Sequence, residues 1–477
     1  MELYLNLLIF KKESGRIPLK LILLIIFLAA AIPALLFGWK ELYAKFLERS
    51  HPVVEILEFP RGIGAAPVLA HLRISDTGAG LDEIVVRTKQ KRKSKELLRK
   101  SFNGAQTGEL VVEFPGRESG LEEGTATLEI RVFDKSFWSN RTEKNLPLLV
   151  DYEKPSVEVL SVQHNAHLGG AQFVFYKAYD NTLAISGVRI GENRYLGYPA
   201  QGLDEDLLEP NLFVAIYAID VEKPPLPSEI RVFAEDQAGN SNSTGFYNKI
   251  LGRRSAVRSE HLTPDFLRNK VSNLLLNFAT EELSSVSKFL LANKKLRSVN
   301  ERQLKSYIKG PRFEALWEEA FEPFPATPAA IFGDKINYYL DNQQIDSSVL
   351  HNMVYLFPYS RLEVPAAAPG VVLFTGSLGV YGDVVLVDHG LGLVALYGQL
   401  ETISVHKADQ IETGTLIGTV GSTGLTQRKA LLYGMFVHGT PVNPMEWFDK
   451  SWYNSHVTLK IEELKKDLGI PVYRPLN

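Results

Sequence analysis

Residues Leu21 to Trp39 form 19 consecutive uncharged, mostly apolar positions, and this run decides where the rest of the chain can fold. At 1.5 Å rise per residue such a helix comes close to spanning a hydrocarbon core of about 30 Å. Lys11, Lys12, Arg16 and Lys20 precede the run, and Lys40, Glu41 and Lys45 follow it. The positive-inside rule places the short N-terminus in the cytoplasm and everything after residue 40 outside. Ala29-Ala30-Ala31 is small enough for a signal-peptide cleavage site, which is the alternative. Because the apolar run continues through Leu36, longer than a signal core needs, the reading is an uncleaved single-pass anchor. The expected location is the cytoplasmic (inner) membrane, with the bulk of the chain periplasmic.

The 477 residues suffice for several domains that each bury a core. A formal net charge of −3 gives no electrostatic footprint for nucleic acid. The basic run Lys89 to Lys100 reads as a solvated hairpin or loop. The absence of cysteine excludes disulfides, cysteine-ligated zinc and lipoprotein attachment.

Two stretches after the anchor resemble each other. The first opens at Pro52-Val-Val-Glu-Ile-Leu and closes on Ala126-Thr-Leu-Glu-Ile-Arg-Val-Phe-Asp-Lys-Ser-Phe-Trp-Ser-Asn. The second opens at Pro155-Ser-Val-Glu-Val-Leu and closes on Glu229-Ile-Arg-Val-Phe-Ala-Glu-Asp-Gln-Ala-Gly-Asn. Short alternating strands between Gly, Asp, Asn and Pro turns predict two β-sandwiches, and the D-x-A-G-N ending is similar to bacterial Ig-like repeats. Asp76, Asp134, Asp180 and Asp236 read as turn-forming carboxylates rather than calcium ligands.

The period becomes helical from Thr263 to Ile308. Thr263-Pro264 is a cap and first-turn pair, with Leu267, Val271, Leu274, Leu275 and Phe278 on one stripe. A second helix is expected from Thr280 and a third over Val299 to Ile308. Packing on neighbouring domains, or gating of the last one, are the roles open to it. Val457 to Leu468 predicts a short amphipathic helix stopped by Gly469 and Pro471.

Between residues 345 and 449 the β-branched runs Val371-Val-Leu-Phe, Val384-Val-Leu-Val, Val394-Ala-Leu-Tyr and Leu416-Ile-Gly-Thr-Val alternate with glycines. The order VPAAAPGVVLFTG, YGDVVLVDHGLGLVALYGQL, IGTVGSTGLT and HGTPVNPMEWFD resembles the lysostaphin/LytM-type zinc endopeptidases. The resemblance implies a compact antiparallel β domain with a groove across one sheet. In that family an H-x-x-x-D, a Y-x-H-L and an H-x-H hold and flank one zinc. Here Y-x-H-L reads Tyr397-Gly398-Gln399-Leu400 and H-x-H reads Ala430-Leu431-Leu432. Counting back from Val364, the H-x-x-x-D pair falls on His351 and Tyr355, or one residue earlier on Leu350 and Val354.

A catalytic zinc needs three protein ligands and an open position for a water whose pKa it lowers. The resemblance therefore marks His351, Tyr355 and Leu432 as degenerate metal positions and Gln399 and Ala430 as degenerate catalytic ones. No cofactor is expected. His389, His406 and His438 stand away from the expected centre. Ser422-Thr423-Gly424 belongs to a glycine-rich turn without a Ser/His/Asp arrangement, and no phosphate-binding glycine loop precedes a helix. His351, Tyr397, Gln399 and Tyr433 are the groove candidates for binding a peptide or glycan.

The reading is a mainly β chain with these expected parts: tail and anchor 1–40, sandwiches 41–150 and 151–252, helical insert 253–320, connector 321–344, LytM-type domain 345–449, and helix and tail 450–477. Its expected role is a membrane-anchored pseudoenzyme that binds peptidoglycan or a cell-wall hydrolase. The alternatives are a zinc peptidoglycan endopeptidase with a rearranged metal site, and an envelope scaffold.

Overall fold

The computed structural model describes residues 48–278, 282–308, 310, 312–350, 352–359 and 362–472, together with Ile25, Phe27 and Ala29. The expected anchor over Leu21 to Trp39 otherwise lies outside the described residues, as does His351. No helix among the described residues is long and apolar enough to cross a membrane. The fold is mainly β. It divides into two compact units, residues 1–153 with 237–240, and residues 154–236 with 241–477. The expected boundaries at 252, 320, 344 and 449 all fall inside the second unit.

The first unit is a two-sheet sandwich. Strands Val53–Glu58, Val68–Ser75 and Thr107–Phe114 make one sheet. A five-stranded sheet, running from Gly62–Ile63 to Lys93–Ala105, makes the other. Inward positions alternate along each strand, so Ala70, Leu72 and Ile74 meet Ile84, Val86, Leu128 and Ile130 in one core. The basic run lies in a hairpin of Leu81–Gln90 with Lys93–Ala105, and its charges pair across the surface, Arg87 with Glu96 at 3.0 Å and Arg99 with Glu83 at 2.9 Å. Three of the four aspartates do close turns. Asp76 accepts from the Gly78 and Gly80 amides, Asp134 from Ser136, and Asp180, in the second unit, from Thr182.

In the second unit a seven-stranded antiparallel sheet runs from Ser241–Gly245 to Ser156–Val159. The sheet rolls until its edges meet, where Asn242 Nδ2 donates to Pro155 O at 2.9 Å. A ten-stranded sheet follows, with Val354–Pro358, Leu431–Val437, Leu393–Ile403, Asp383–Gly390 and Gly370–Ser377 as successive neighbours. All seven residues of Leu431–Val437 are buried, the mark of a strand covered on both faces.

One face of this sheet shares a core with the rolled sheet. Val385, Val387, Ala395, Tyr397 and Tyr433 join Phe173, Trp317, Trp447 and Trp452 there. The Phe173 ring lies 6.0 Å from Trp447 and 6.2 Å from Trp317. Polar ties finish the seam: Ala171 N donates to Glu446 at 3.0 Å, and the buried Lys460 ammonium donates to Gln172 Oε1 and Phe173 O at 2.7 Å each.

The other face carries the helical insert. Thr263 caps the first turn as expected, its Oγ1 accepting from Phe266 N at 3.2 Å. The second and third helices are instead one run, residues 285–307, because π-type turns over Leu291–Leu296 carry the chain through. Its cap is Ser284, whose side chain accepts from Ser287 N, and the expected start at Thr280 lies outside the described residues. The insert also contains a strand, Val257–His261, which pairs in parallel with Lys335–Leu340 from the expected connector. The C-terminal helix starts earlier than its apolar period suggested, at Lys450, and ends before Gly469 at φ 71°.

Candidate functional site

Strands Val354–Pro358, Leu431–Val437 and Leu393–Ile403 lie side by side in antiparallel register and form the floor of the expected groove. Tyr355 stands opposite Leu432, and Leu432 opposite Gly398. Val354 stands opposite Tyr433, and Tyr433 opposite Tyr397. Since side chains alternate across a sheet, these are two different faces. Leu432, Leu396 and Phe436 pack with the insert, and Tyr355 packs beside them. Val354, Tyr397 and Tyr433 pack in the core shared with the rolled sheet. Of the two registers open in the sequence, the one on His351 and Tyr355 therefore puts its second position on the groove face, and the one on Val354 does not.

Tyr397 and Tyr433, expected in the groove, are core residues. Both are fully buried with rings 5.2 Å apart, and Phe324 packs against each. Ala367 N donates to Tyr397 Oη at 2.9 Å, and the Tyr433 hydroxyl donates to Met435 Sδ at 3.3 Å. Burial pushes both phenols above their ordinary range. They were placed by motif, and strand parity sends them to the opposite face.

Gln399 is fully buried at φ 61°. It stands beside the Tyr355 phenol, whose pKa burial raises while Arg297 and Gln399 draw it down. Ala430 and Leu432 are buried and offer no donor atom. Zinc takes His nitrogen, cysteine sulfur or carboxylate oxygen. An alanine, a leucine, an amide and a phenol held neutral do not fit it. No group of three His, Asp or Glu side chains gathers in the groove among the described residues.

The insert supplies what the sequence reading missed. Its helical run carries a buried stripe of Phe289, Leu296 and Leu304, interrupted by buried Asn293 and Asn300. Asn300 Oδ1 accepts from Val380 N at 3.0 Å, fixing the helix to the turn Gly379–Tyr381. Asn293 receives Arg297, whose Nε donates to Asn293 O at 3.1 Å and whose Nη2 donates to Asn293 Oδ1 at 2.9 Å. Burial opposes the Arg297 charge, but the phenols of Tyr381, Tyr338 and Tyr355 and the Glu301 carboxylate outweigh it and raise its pKa. The Arg297 charge thus acts on Tyr355, on the face where the family would carry a dication. Two asparagines inside an apolar stripe were the available signal, because buried polar groups are the informative exceptions.

A cavity of about 420 Å³ remains between floor and insert. Tyr338, Tyr355, Phe357, Phe289 and Ala430 line it, with Arg258, Glu260 and Arg428 alongside. Glu260 accepts from Arg428 Nη2 at 3.3 Å and from Gln427 Nε2 at 2.9 Å, so the loop after the glycine-rich turn is tied to strand Val257–His261. Lys270 donates to the Ser422 carbonyl and, at 3.4 Å, to its hydroxyl, which leaves Ser422 a structural contact.

His389 and His438 serve packing. His389 is fully buried against Phe321, its Nδ1 2.6 Å from Pro369 O, and burial holds its pKa down at about 4. His438 stacks on Tyr198 at 5.8 Å, and burial likewise holds it at about 4. His406 is exposed beside Asp409.

Residues 350–444 match peptidase family M23. The chain therefore carries an M23 (LytM-type) domain at its C-terminal end. Among relatives, an uncharacterised Haemophilus influenzae protein is 42% identical over 84 residues, 18% of this chain and 20% of its own length. The DD-carboxypeptidase/endopeptidase Mpg of Neisseria meningitidis is 39% identical over 82 residues, 17% and 19% of the two chains. The murein hydrolase activator EnvC of Escherichia coli is 24% identical over 217 residues, 42% of this chain and 50% of EnvC. The alignments thus span a fifth of the first two proteins and half of the third. A crystal structure of an M23 peptidase from Pseudomonas aeruginosa overlays at TM-score 0.36 and 14% identity, covering 59% of this chain and 93% of that one.

Proposed function

We propose that this chain is a membrane-anchored, non-hydrolytic M23 protein that works in cell-wall remodelling by binding peptidoglycan or a wall hydrolase. One observation carries the reading. On the groove face, Tyr355, Leu432, Ala430 and Gln399 occupy the positions that the resemblance assigns to zinc and the catalytic histidines, and the Arg297 charge acts on Tyr355. Hydrolysis by this family's chemistry needs a polarising ion, and these donors hold none. The resemblance over 217 residues to a protein named as a murein hydrolase activator supports the regulatory side of the proposal.

What remains for the groove is recognition. Its cavity joins an aromatic wall to a Glu260–Arg428 pair, surfaces suited to a short peptide or an inserted side chain.

Two measurements test the proposal. After incubation with zinc and desalting, the purified full chain should hold well under one zinc per molecule; one tightly bound zinc per chain overturns the pseudoenzyme reading. Pull-down of wall fragments and wall hydrolases with the wild type should recover a partner that A430W, which fills the cavity, recovers poorly. Equal recovery by a folded A430W protein would remove the groove from the mechanism.

A further inference from the structure

Strand Val257–His261 closes one side of its three-stranded sheet. It pairs in parallel with Lys335–Leu340 and, among the described residues, with no other strand. Lys335 N donates to Ala256 O at 2.9 Å and Leu262 N to Tyr339 O at 2.8 Å, so the even-numbered residues turn their main-chain groups toward that neighbour. The N–H and C=O groups of Val257 and Ser259 therefore point to the other edge, where no described residue bonds them. Just beyond, the same edge does take a partner. The Gln427 amide donates to His261 O at 3.0 Å and accepts from Thr263 N at 2.9 Å. One side-chain amide thus fills the next two places as a paired strand would, and the places before it stay open.

The open stretch borders the groove cavity, which Arg258, Ser259 and Glu260 all line beside Ile336 and Tyr338. Arg258 stands opposite Ile336 and Glu260 opposite Tyr338, so these four side chains share the cavity face. Ser259 points its side chain to the opposite face and meets the cavity at the strand edge. A row of unpaired N–H and C=O groups beside a cavity is a template for an extended chain.

The charged groups select the sign of that chain. Arg258 pairs with Asp334 through Nε, and Arg428 with Glu260 through Nη2, which leaves each guanidinium further donors. Both carboxylates are already engaged. Asp334 is buried and also accepts from Ala256 N at 3.1 Å, and Glu260 also accepts from Gln427 Nε2 at 2.9 Å. Behind the wall, the Arg297 charge acts on Tyr338 and Tyr355. An acidic side chain entering here meets unspent donors, and a basic one meets a surplus of like charge.

We propose that an acidic, extended segment of a protein partner adds to the open edge of Val257–His261 as a further strand, its carboxylate on Arg258 or Arg428 and a neighbouring apolar side chain in the cavity. The apolar side chain lies against Phe289 and Phe357 and, by strand alternation, stands two residues from the acid. The inference rests on the groove-recognition reading above and names the kind of ligand that the groove takes.

The test selects a displayed library of random decapeptides on the purified full chain and repeats the selection on S259P. Proline at 259 removes an N–H that faces the open edge and none from the ladder to Lys335–Leu340, so S259P should fold with the wild-type urea midpoint. The expected enrichment is peptides with an acidic and an apolar residue two apart, bound by S259P about 10-fold more weakly or worse. Amidating the peptide's acid should weaken binding to the wild type and leave binding to R258Q/R428Q unchanged; equal losses in both overturn the charge assignment. An N-methyl scan of one enriched peptide on the wild type gives a readout independent of any variant. Methylation at alternate positions should abolish binding, and methylation at the intervening ones should spare it. No enrichment, or losses without that alternation, overturns the inference. If A430W abolishes binding while S259P and the scan have no effect, groove recognition stands and strand addition falls. Soluble wall fragments that bind the wild type and S259P alike, with no peptide enriched, overturn it in favour of a wall ligand.

Discussion

Restoring zinc to the M23 groove should require removing Arg297 as well as restoring ligands. The resemblance gives His351, Tyr355 and Leu432 as the ligand positions, and the last two face each other across one strand pair. Directly opposed residues have Cβ atoms about 5 Å apart, near enough to share a metal ion. The double variant Y355D/L432H therefore supplies the missing ligand types. It also places a new carboxylate within the field of Arg297, whose charge already acts on Tyr355 and competes with a metal ion for it. A dication and a guanidinium about 5–10 Å apart repel by roughly 3–7 kcal/mol at an effective dielectric of about 20. Halved for solvent and for movement of the arginine, this is still about one to three decades of affinity. Zinc titration of the full chain against a chromophoric chelator should show weak binding by Y355D/L432H. Binding by Y355D/L432H/R297M should be tighter by about 10-fold or more, an estimate from that same repulsion. If both variants fold, by matching far-ultraviolet spectra, and bind zinc equally, Arg297 does not stand in for the metal's charge and the reasoning fails.

Truncating Phe289 should show how much the insert's grip on the groove face is worth. Its ring is 1% exposed and lies 5.0 Å from Tyr338, so F289A is expected to cost about 3–5 kcal/mol in urea unfolding of the second unit. A loss below about 1 kcal/mol, the scale of a surface change, would mean that the insert is loosely attached. At the seam with the rolled sheet, burial raises Glu446 to about 7 although Ala171 N donates to it. A carboxyl whose folded pKa lies above its ordinary value binds a proton more readily when folded, so its contribution to stability declines as pH rises from about 4.5 to about 7. E446Q should therefore match the wild type near pH 4 and exceed it by about 2–3 kcal/mol at pH 8. Urea midpoints at the two values check this, and equal midpoints at pH 8 would refute it.

The groove floor was legible in the sequence because strand periodicity and glycine punctuation are local signals. Val384-Val-Leu-Val and Val394-Ala-Leu-Tyr fall in strands Asp383–Gly390 and Leu393–Ile403. Motif position alone did not reveal sidedness, which sent Tyr397 and Tyr433 to the core and left Tyr355 on the groove face. Parity along a strand fixes relative sides, but which side is the groove depends on what covers each. The insert's continuity from 285 to 307 was hidden because π-type turns shift the apolar stripe out of its 3.6-residue period. Arg297 was invisible for a different reason. A single arginine on a helix looks solvated until the sheet beneath it is known, and that sheet lies 50 to 140 residues further along the chain.

Cover on both faces of the ten-stranded sheet also sets the direction in which such a domain can change. An open groove tolerates a histidine because water satisfies the imidazole. Here Leu432 is 3% exposed under the insert, and a lone histidine at that position would bury a polar ring with no partner. Leaving such a group unsatisfied costs about 1–3 kcal/mol, with nothing gained until a metal arrives. Ala430 and Tyr355 present the same uphill step, each independently of the others. A lineage at this point can refine what the groove recognises one substitution at a time, but regaining hydrolysis would take several concerted changes and the lifting of an entire helical layer.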